Sequence, residues 1–473
     1  MPSVLMSISS LLVGMGILLL GNGLLGTLVG LALARQNATA LISGLVMAGY
    51  FLGLLLGALR AGKIIGTVGH IRAFSAFASV FSAAALAHAF LDVPAIWGLL
   101  RIAEGFCMAG LFMCAESWLN HRAEPENRGT ILSIYMITAY LSQGLAQGLL
   151  TFGQTDGFVL FATVSILTSV ALVPVALTRM RQPSLVMPKS MGIKALYRIS
   201  PSGLAGCFCA GLVMGVLYSL TPLFGERLGL GVDGVAALMA AVILGGLCLQ
   251  WPLGKLSDRM DRRLIMAGSA LGILISSLAL VALSMWATVD LYGEVAGPGQ
   301  ELIVGREGDI PLWQVVPLIT LFGAFAGLLY PVSLATTADF VPADDMVAAM
   351  GGLLFVYGLG AVLGPLAAGA AMEILGRAGL FLFTGAVCVP LVLFVFARFR
   401  SRELPQDEDR VSFQMVPRTT VIAAELDPRV EIDPQYAFDF DPVEDRVPAP
   451  ETPESPEAPE TPATRPDQEA SPA

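Results

Sequence analysis

Two residues of this chain place charge where charge is expensive. Arg101 and Glu104 stand three apart inside the apolar run 95–118, and on a helix that spacing puts them on one face. Ionisable groups in such a run must face a protein interior or a wet cavity and find partners there. Asn22, midway along the first apolar run, is a hydrogen-bond partner for Arg101 if the two helices touch, or else makes an ordinary interhelical contact. Tyr140, Gln143 and Gln147, spaced three and four apart, form one polar stripe, read either as the wall of a substrate cavity or as interhelical hydrogen bonding. Glu116 sits near the end of the same run as Arg101, where the helix dipole disfavours negative charge. It is expected to pair with Arg122, Arg128 or the 60–72 loop and lock a gate, or to be a plain helix-end carboxylate.

No other chemistry competes with this. A Gly-rich phosphate loop ending in Lys-Ser/Thr and a Gly-x-Ser-x-Gly elbow are both missing, so an enzyme is not expected. The six cysteines fall in apolar runs and the three histidines are scattered, so no metal, cofactor or redox pair is expected. Nothing points to nucleic acid.

The elements that must position these residues are membrane helices. Hydrophobic residues make up 55% of the chain and charged ones only 14%, and about 20 apolar residues cross a bilayer as a helix. Twelve spans are expected: 8–34, 40–60, 73–91, 95–118, 129–152, 158–178, 203–224, 234–253, 264–287, 312–338, 346–371 and 378–397. Ala32-Leu33-Ala34 mimics a leader cleavage site, but the run before it is long and lacks a leading cation, so it reads as the first span. Alternate loops hold 17 Lys and Arg on one side, against Arg35, Arg227, Arg306 and Arg377 on the other. That asymmetry predicts that both termini are cytoplasmic.

The expected organisation is an N-terminal six-helix half (1–178), a cytoplasmic linker (179–202) that is partly interfacial, a C-terminal six-helix half (203–402), and a tail (403–473). The acidic, glycine-rich loop 288–311 is expected outside, as an insertion in the second half. The tail has 13 prolines and a net charge of −13, with 5 cations against 18 anions, so it is expected to be disordered. Pro450, Pro453, Pro456, Pro459 and Pro462 recur every third residue, the period of polyproline II, and Tyr436–Asp441 is an aromatic docking motif in waiting. The tail is either a passive solvated extension or a docking segment for a cytosolic partner.

Two charged loops repeat. Gly62 and Lys63, leading to Arg72, align with Gly254 and Lys255 at an offset of 192, and the second copy continues through Asp258, Arg259, Arg262 and Arg263. Asp258 and Asp261 are placed to cap the next helix, and Gly254 to let helices approach. The second copy resembles the loop signature of the major facilitator superfamily, Gly-x-x-x-Asp-Arg-x-Gly-Arg-Arg, with Asp261 for the second Gly. The first departs from it, with Gly66 and Thr67 at the Asp and Arg positions. Arg101-x-x-x-Gly105 resembles the fourth-helix signature of proton-coupled members. With Glu116–Asn120 and Gly69–Arg72, it is similar to the YcaD-type branch, over about residues 10–400. Gly360, Gly364 and Pro365 resemble an antiporter signature that the family carries in another helix, so here they suggest close packing or a hinge.

The resemblance implies an all-α fold of two pseudo-symmetric six-helix halves, and a monomer in a bacterial inner (plasma) membrane. In this reading Arg101 is a fixed charge and Glu104 the proton-exchanging acid, with the two charged loops and Glu116 forming a cytoplasmic gate. The function expected is secondary transport of a small organic solute, coupled to protons, with direction open. The alternative is a transporter-like sensor or scaffold whose tail recruits a partner.

Overall fold

Without water in a bilayer core, a spanning backbone must satisfy its own polar groups, and a helix does this within one segment. The computed structural model describes residues 2–123, 126–153, 157–177, 190–293, 311–399, 413, 417–423 and 427. Among the described residues the regular structure is entirely helical. Six long helices form the first half: α1 (Pro2–Arg35), α2 (Ala40–Val68), α3 (His70–Ala87), α4 (Pro94–Arg122), α5 (Arg128–Gly148) and α6 (Phe158–Leu177). A short helix α7 (Ile193–Ile199) precedes six more: α8 (Pro201–Arg227), α9 (Gly231–Arg259), α10 (Arg262–Gly293), α11 (Leu312–Ala338), α12 (Met346–Leu375) and α13 (Gly379–Phe399). Every long helix except α5 lies in a stretch apolar enough to cross a membrane. The exception carries the stripe of Tyr140, Gln143 and Gln147.

The halves repeat the same pairings. In the first, α2 and α3 pack on α4, and α1 on α5; in the second, α9 and α10 pack on α11, and α8 on α12. Glycine makes the tightest seams. A Cβ at Gly105 would lie 2.0 Å from the Tyr50 carbonyl oxygen, and one at Gly53 2.1 Å from that of Ile102. Gly360 and Gly364 do the same between α12 and α8, where a Cβ would come within 2.4 Å of Phe208 O and 2.3 Å of Leu212 O. Backbones approach this closely only where the side chain is missing.

The two ends of the bundle differ in how the halves meet. At one end they touch directly: the Ala40 N–H donates to Glu373 Oε2 (3.1 Å), and Gly44 abuts the Pro365 carbonyl. The other end carries the two charged loops, which are far shorter than the sequence suggests. α2 runs to Val68 and turns at Gly69, whose φ of +87° suits glycine, before α3 begins at His70. α9 runs to Arg259, and only Met260 and Asp261 separate it from α10. Asp258 therefore lies in the last turn of α9 and does not cap the next helix; Asp261 does, accepting from the Arg263 N–H (2.9 Å).

α10 continues to Gly293, so the expected loop at 288–311 begins later, and 294–310 lie outside the described residues. So do 178–189 of the linker; the rest of it packs on the bundle, with Met191 N–H donating to Ala348 O (2.7 Å) and Leu196 buried. Most of 403–473, including the Pro repeat and Tyr436–Asp441, is also outside the described residues. One part of the tail departs from the expectation of a solvated extension. Phe413 and Pro417–Ala423 lie against the helices, and Thr420, Ile422 and Ala423 are buried.

Candidate functional site

The charged pair in α4 meets a third residue. Arg101 Nη1 donates to Glu104 Oε2 (2.9 Å), and His88 Nδ1 stands 3.3 Å from Glu104 Oε1. Glu104 and His88 are fully or almost fully buried. His88 Nδ1 also lies 3.0 Å from Ala84 O, and Glu104 Oε1 accepts no hydrogen bond of good geometry. The carboxylate thus has one oxygen held by a cation and one poised against an imidazole. The Arg101 guanidinium lies over the Tyr50 ring, 4.4 Å from its centroid. Asn22 shares the cavity wall with Tyr50 and Arg101.

Arg101 has a second face. It lines a central cavity of about 220 Å³, bounded also by Asn22, Tyr50, Tyr140, Gln143, Gln147, Tyr218 and Tyr357. Glu104 is not on that wall. Arg101 therefore stands between the cavity and the buried carboxylate. The α5 stripe faces the cavity, and part of its hydrogen bonding is already taken up: Gln147 Oε1 accepts from Thr27 Oγ1 on α1 (2.8 Å), Gln147 Nε2 donates to Gln143 O (3.1 Å), and Gln143 Nε2 donates to Ala139 O (3.3 Å). Tyr140 crosses to the other half, donating to Gln250 Oε1 (3.1 Å).

Glu116 is fully buried and meets none of the cations expected for it. It accepts from Tyr135 Oη (3.0 Å) and from the hydroxyls of Thr419 and Thr420 in the tail. Beside it, Asn120 Nδ2 donates to Ile422 O (2.8 Å), and Arg418 Nη2 donates to Tyr140 Oη (3.0 Å). Among the described residues no cluster of three His, Cys, Asp or Glu could hold a metal.

The family model of the Major Facilitator Superfamily matches residues 11–296 and 302–432. The chain belongs to this superfamily. It is 28% identical over 357 residues to an uncharacterised MFS-type transporter of Enterobacter sp. (strain 638), which covers 75% of this chain and 86% of that protein. YcaD of Escherichia fergusonii, also an uncharacterised MFS-type transporter, gives the same identity and coverage. Among solved structures, the fold resembles the nucleoside transporter NupG (TM-score 0.66, 13% identity, 83% of this chain and 99% of that one). It also resembles a D-xylose–proton symporter (TM-score 0.63, 16% identity, 86% and 99%). The protein is accordingly a multi-pass membrane transporter, and it is not an enzyme.

In this major facilitator the two charged loops do unequal work. Arg262 is buried and pairs with Asp258 (3.3 Å) and with Asp339 beyond the end of α11 (3.1 Å), and it donates to Ala335 O (2.9 Å). Arg263 pairs with Asp261 (3.4 Å). Arg259 is exposed, as are Lys63 and Arg72 of the first loop, so these three cations face away from the contacts around Arg262. Gly62 is buried in α2. Gly254 makes room not for a helix but for the tail, because a Cβ there would fall 2.1 Å from the Phe413 ring.

Sequence reasoning passed over His88, Tyr50, Gln250, Asp339 and the tail segment. A signal for the last exists: Val411–Ala424 holds no acidic residue, inside a tail with 18 of them.

Proposed function

We propose that this transporter is a proton-coupled secondary carrier of a bacterial inner membrane, moving a small organic solute by alternating access between halves 1–178 and 203–402. Both termini and the linker 179–202 lie in the cytoplasm, and the carrier acts as a monomer. The observation that supports this is the position of Arg101, which touches the cavity on one side and the buried Glu104, backed by His88, on the other. A proton arriving at Glu104 cancels the charge that holds Arg101. The guanidinium then shifts its interaction toward Tyr50 and the cavity, so solute binding and protonation share one residue. By linkage, whatever the proton does to solute affinity, the solute does to proton affinity. The cavity's tyrosines and amides suit a solute with a flat or apolar body and a few hydrogen-bonding groups.

Thermal-shift screening of the purified chain against a metabolite and drug panel identifies the solute. Glu104→Gln, fixed in a neutral form, is then expected to retain solute exchange across a membrane without a gradient and to lose accumulation driven by a pH gradient. Full gradient-driven accumulation in Glu104→Gln would show the pair to be structural. For topology, single cysteines at Gly297 and Ser455 should label with an impermeant reagent in intact cells and only after lysis, respectively. Labelling of Ser455→Cys in intact cells overturns the orientation.

A further inference from the structure

The tail sits in the path that the transport reading assigns to solute. Arg418 lines the central cavity and donates to Tyr140 Oη (3.0 Å), with its guanidinium carbon 6.0 Å from the Tyr357 ring centroid. Thr419 and Thr420 bond both oxygens of the buried Glu116, and Val421 packs on α12 at Gly351, where a Cβ would lie 3.1 Å from Val421 Cγ1. Phe413 anchors the entry: its ring fills the space left by Gly254, and its N–H donates to Asp258 Oδ1 (2.7 Å). These contacts come from α4, α5, α9 and α12, so the segment bridges both halves at the charged-loop end. At the opposite end the halves touch without it, through Ala40 and Glu373, and between the two ends Tyr140 reaches Gln250.

This is a built site rather than a chance contact. A fully buried carboxylate in α4 has Tyr135 as its bonded partner from the helices and takes its other bonds from the tail. A glycine of the charged loop accepts an aromatic ring from the tail, and the stretch that enters is the acid-free part of an acidic tail. Removing acids matters, because an anion beside Glu116 in a low-dielectric cavity would be repelled. An arginine among tyrosines is favoured by hydroxyl acceptors and ring faces.

We propose that Pro417–Ala423 is a pseudosubstrate plug: Arg418 occupies a cation-accepting subsite made by Tyr140, Tyr218 and Tyr357, and the segment holds the two halves in one state until a cationic solute displaces it. The proposal rests on the reading of this cavity as the solute path. While the plug is in, the halves cannot close over the cavity at that end, so the alternating cycle stops. The ligand that competes carries a guanidinium or an amine, as Arg418 does.

The test uses the purified full-length chain with Ser219→Cys, on the cavity wall, as reporter. Cys248, the one exposed native cysteine, is replaced by Ala; the other five are buried. Maleimide labelling of the reporter should be slow, and Arg418→Ala should speed it about tenfold, the factor expected for losing a charged hydrogen bond. Arg418→Lys should stay near the parent. Agmatine, a free alkylguanidinium, should slow labelling again in Arg418→Ala. Separately, Gly351→Cys with Val421→Cys should form a disulfide under mild oxidation, reporting the docked tail in folded protein.

Unchanged labelling in Arg418→Ala, or no disulfide, overturns the plug. Faster labelling that agmatine does not slow overturns the cation subsite. Labelling that Arg418→Ala speeds, in a protein that carries no solute, would defeat the transport reading and leave the plug standing. Solute flux with labelling indifferent to Arg418 would do the reverse.

Discussion

Helices α4 and α11 hold equivalent places in the two halves, 217 residues apart, and both carry the run Ala-Gly-Leu, at Ala109–Leu111 and Ala326–Leu328. Their chemistry is opposite. α4 buries Arg101, Glu104 and Glu116, whereas the matching positions of α11 hold Leu318, Leu321 and Ser333. Leu321 is 39% exposed, and Ser333 spends its hydroxyl on its own helix at Leu329 O (2.6 Å). Burying charge is costly unless it is paired, and α4 has partners on its neighbours: His88 beyond the end of α3, Tyr50 on α2 and Tyr135 on α5. One half therefore holds the buried, paired ionic groups. The other provides a close-packed counterpart whose helices carry prolines, Pro317 and Pro331 in α11 and Pro365 in α12.

The largest effect that tests this contrast is Arg101→Ala against Leu318→Ala. Removing Arg101 strands the buried Glu104, at a cost of about 3–5 kcal/mol, whereas Leu318→Ala, at a half-buried site, should cost about 1 kcal/mol. Thermal unfolding of the purified variants measures both, and equal losses would erase the distinction between the helices. Gly105→Ala comes next. Its Cβ would collide with the Tyr50 carbonyl at 2.0 Å, so about 1–3 kcal/mol should be lost. Gly327→Ala meets only Gly246 Cα at 3.1 Å and should be milder on the same measurement.

Smaller again is Glu116→Gln against Ser333→Ala. The amide keeps one acceptor oxygen but loses the charge that both threonines meet. Hydrogen exchange of the 419–423 amides should therefore quicken by about tenfold in Glu116→Gln and stay unchanged in Ser333→Ala. The smallest changes belong to the first charged loop. Lys63→Ala and Arg72→Ala remove exposed cations and should fall within about 0.5 kcal/mol of the parent. Asp258→Asn in the second loop should exceed them, because Asp258 meets both Arg262 and the Phe413 N–H.

Much of the cavity wall was legible from spacing. Tyr140, Gln143 and Gln147 recur at helical intervals in an otherwise apolar run, and such a stripe has few places to face. Arg101 and Glu104 were legible for the same reason, though not that only Arg101 would reach the cavity. His88 was not, because a single histidine at the end of an apolar run has no pattern, and its meaning comes from a neighbour 16 positions away. The two charged loops look more alike in sequence than they are in space. Sequence alignment treated the two charged loops as a pair, but a cation's role depends on whether a carboxylate faces it, and Asp339, 77 residues beyond Arg262, is near only in three dimensions.

What the sequence by itself determined is the all-helical membrane architecture, its twofold repeat and its family. These follow from local quantities: the length of apolar runs, the short charged connections between them and a signature of adjacent residues. What only the tertiary structure decided is who meets whom. Glu116 was free to choose among several cations and instead meets threonines more than 300 positions away. The tail is acidic and proline-rich in composition, yet Pro417–Ala423 is held because the cavity supplies the apolar surface and the buried carboxylate that the segment lacks. Such pairings are set by the geometry of helices packed through glycine, and chain separation carries no trace of them.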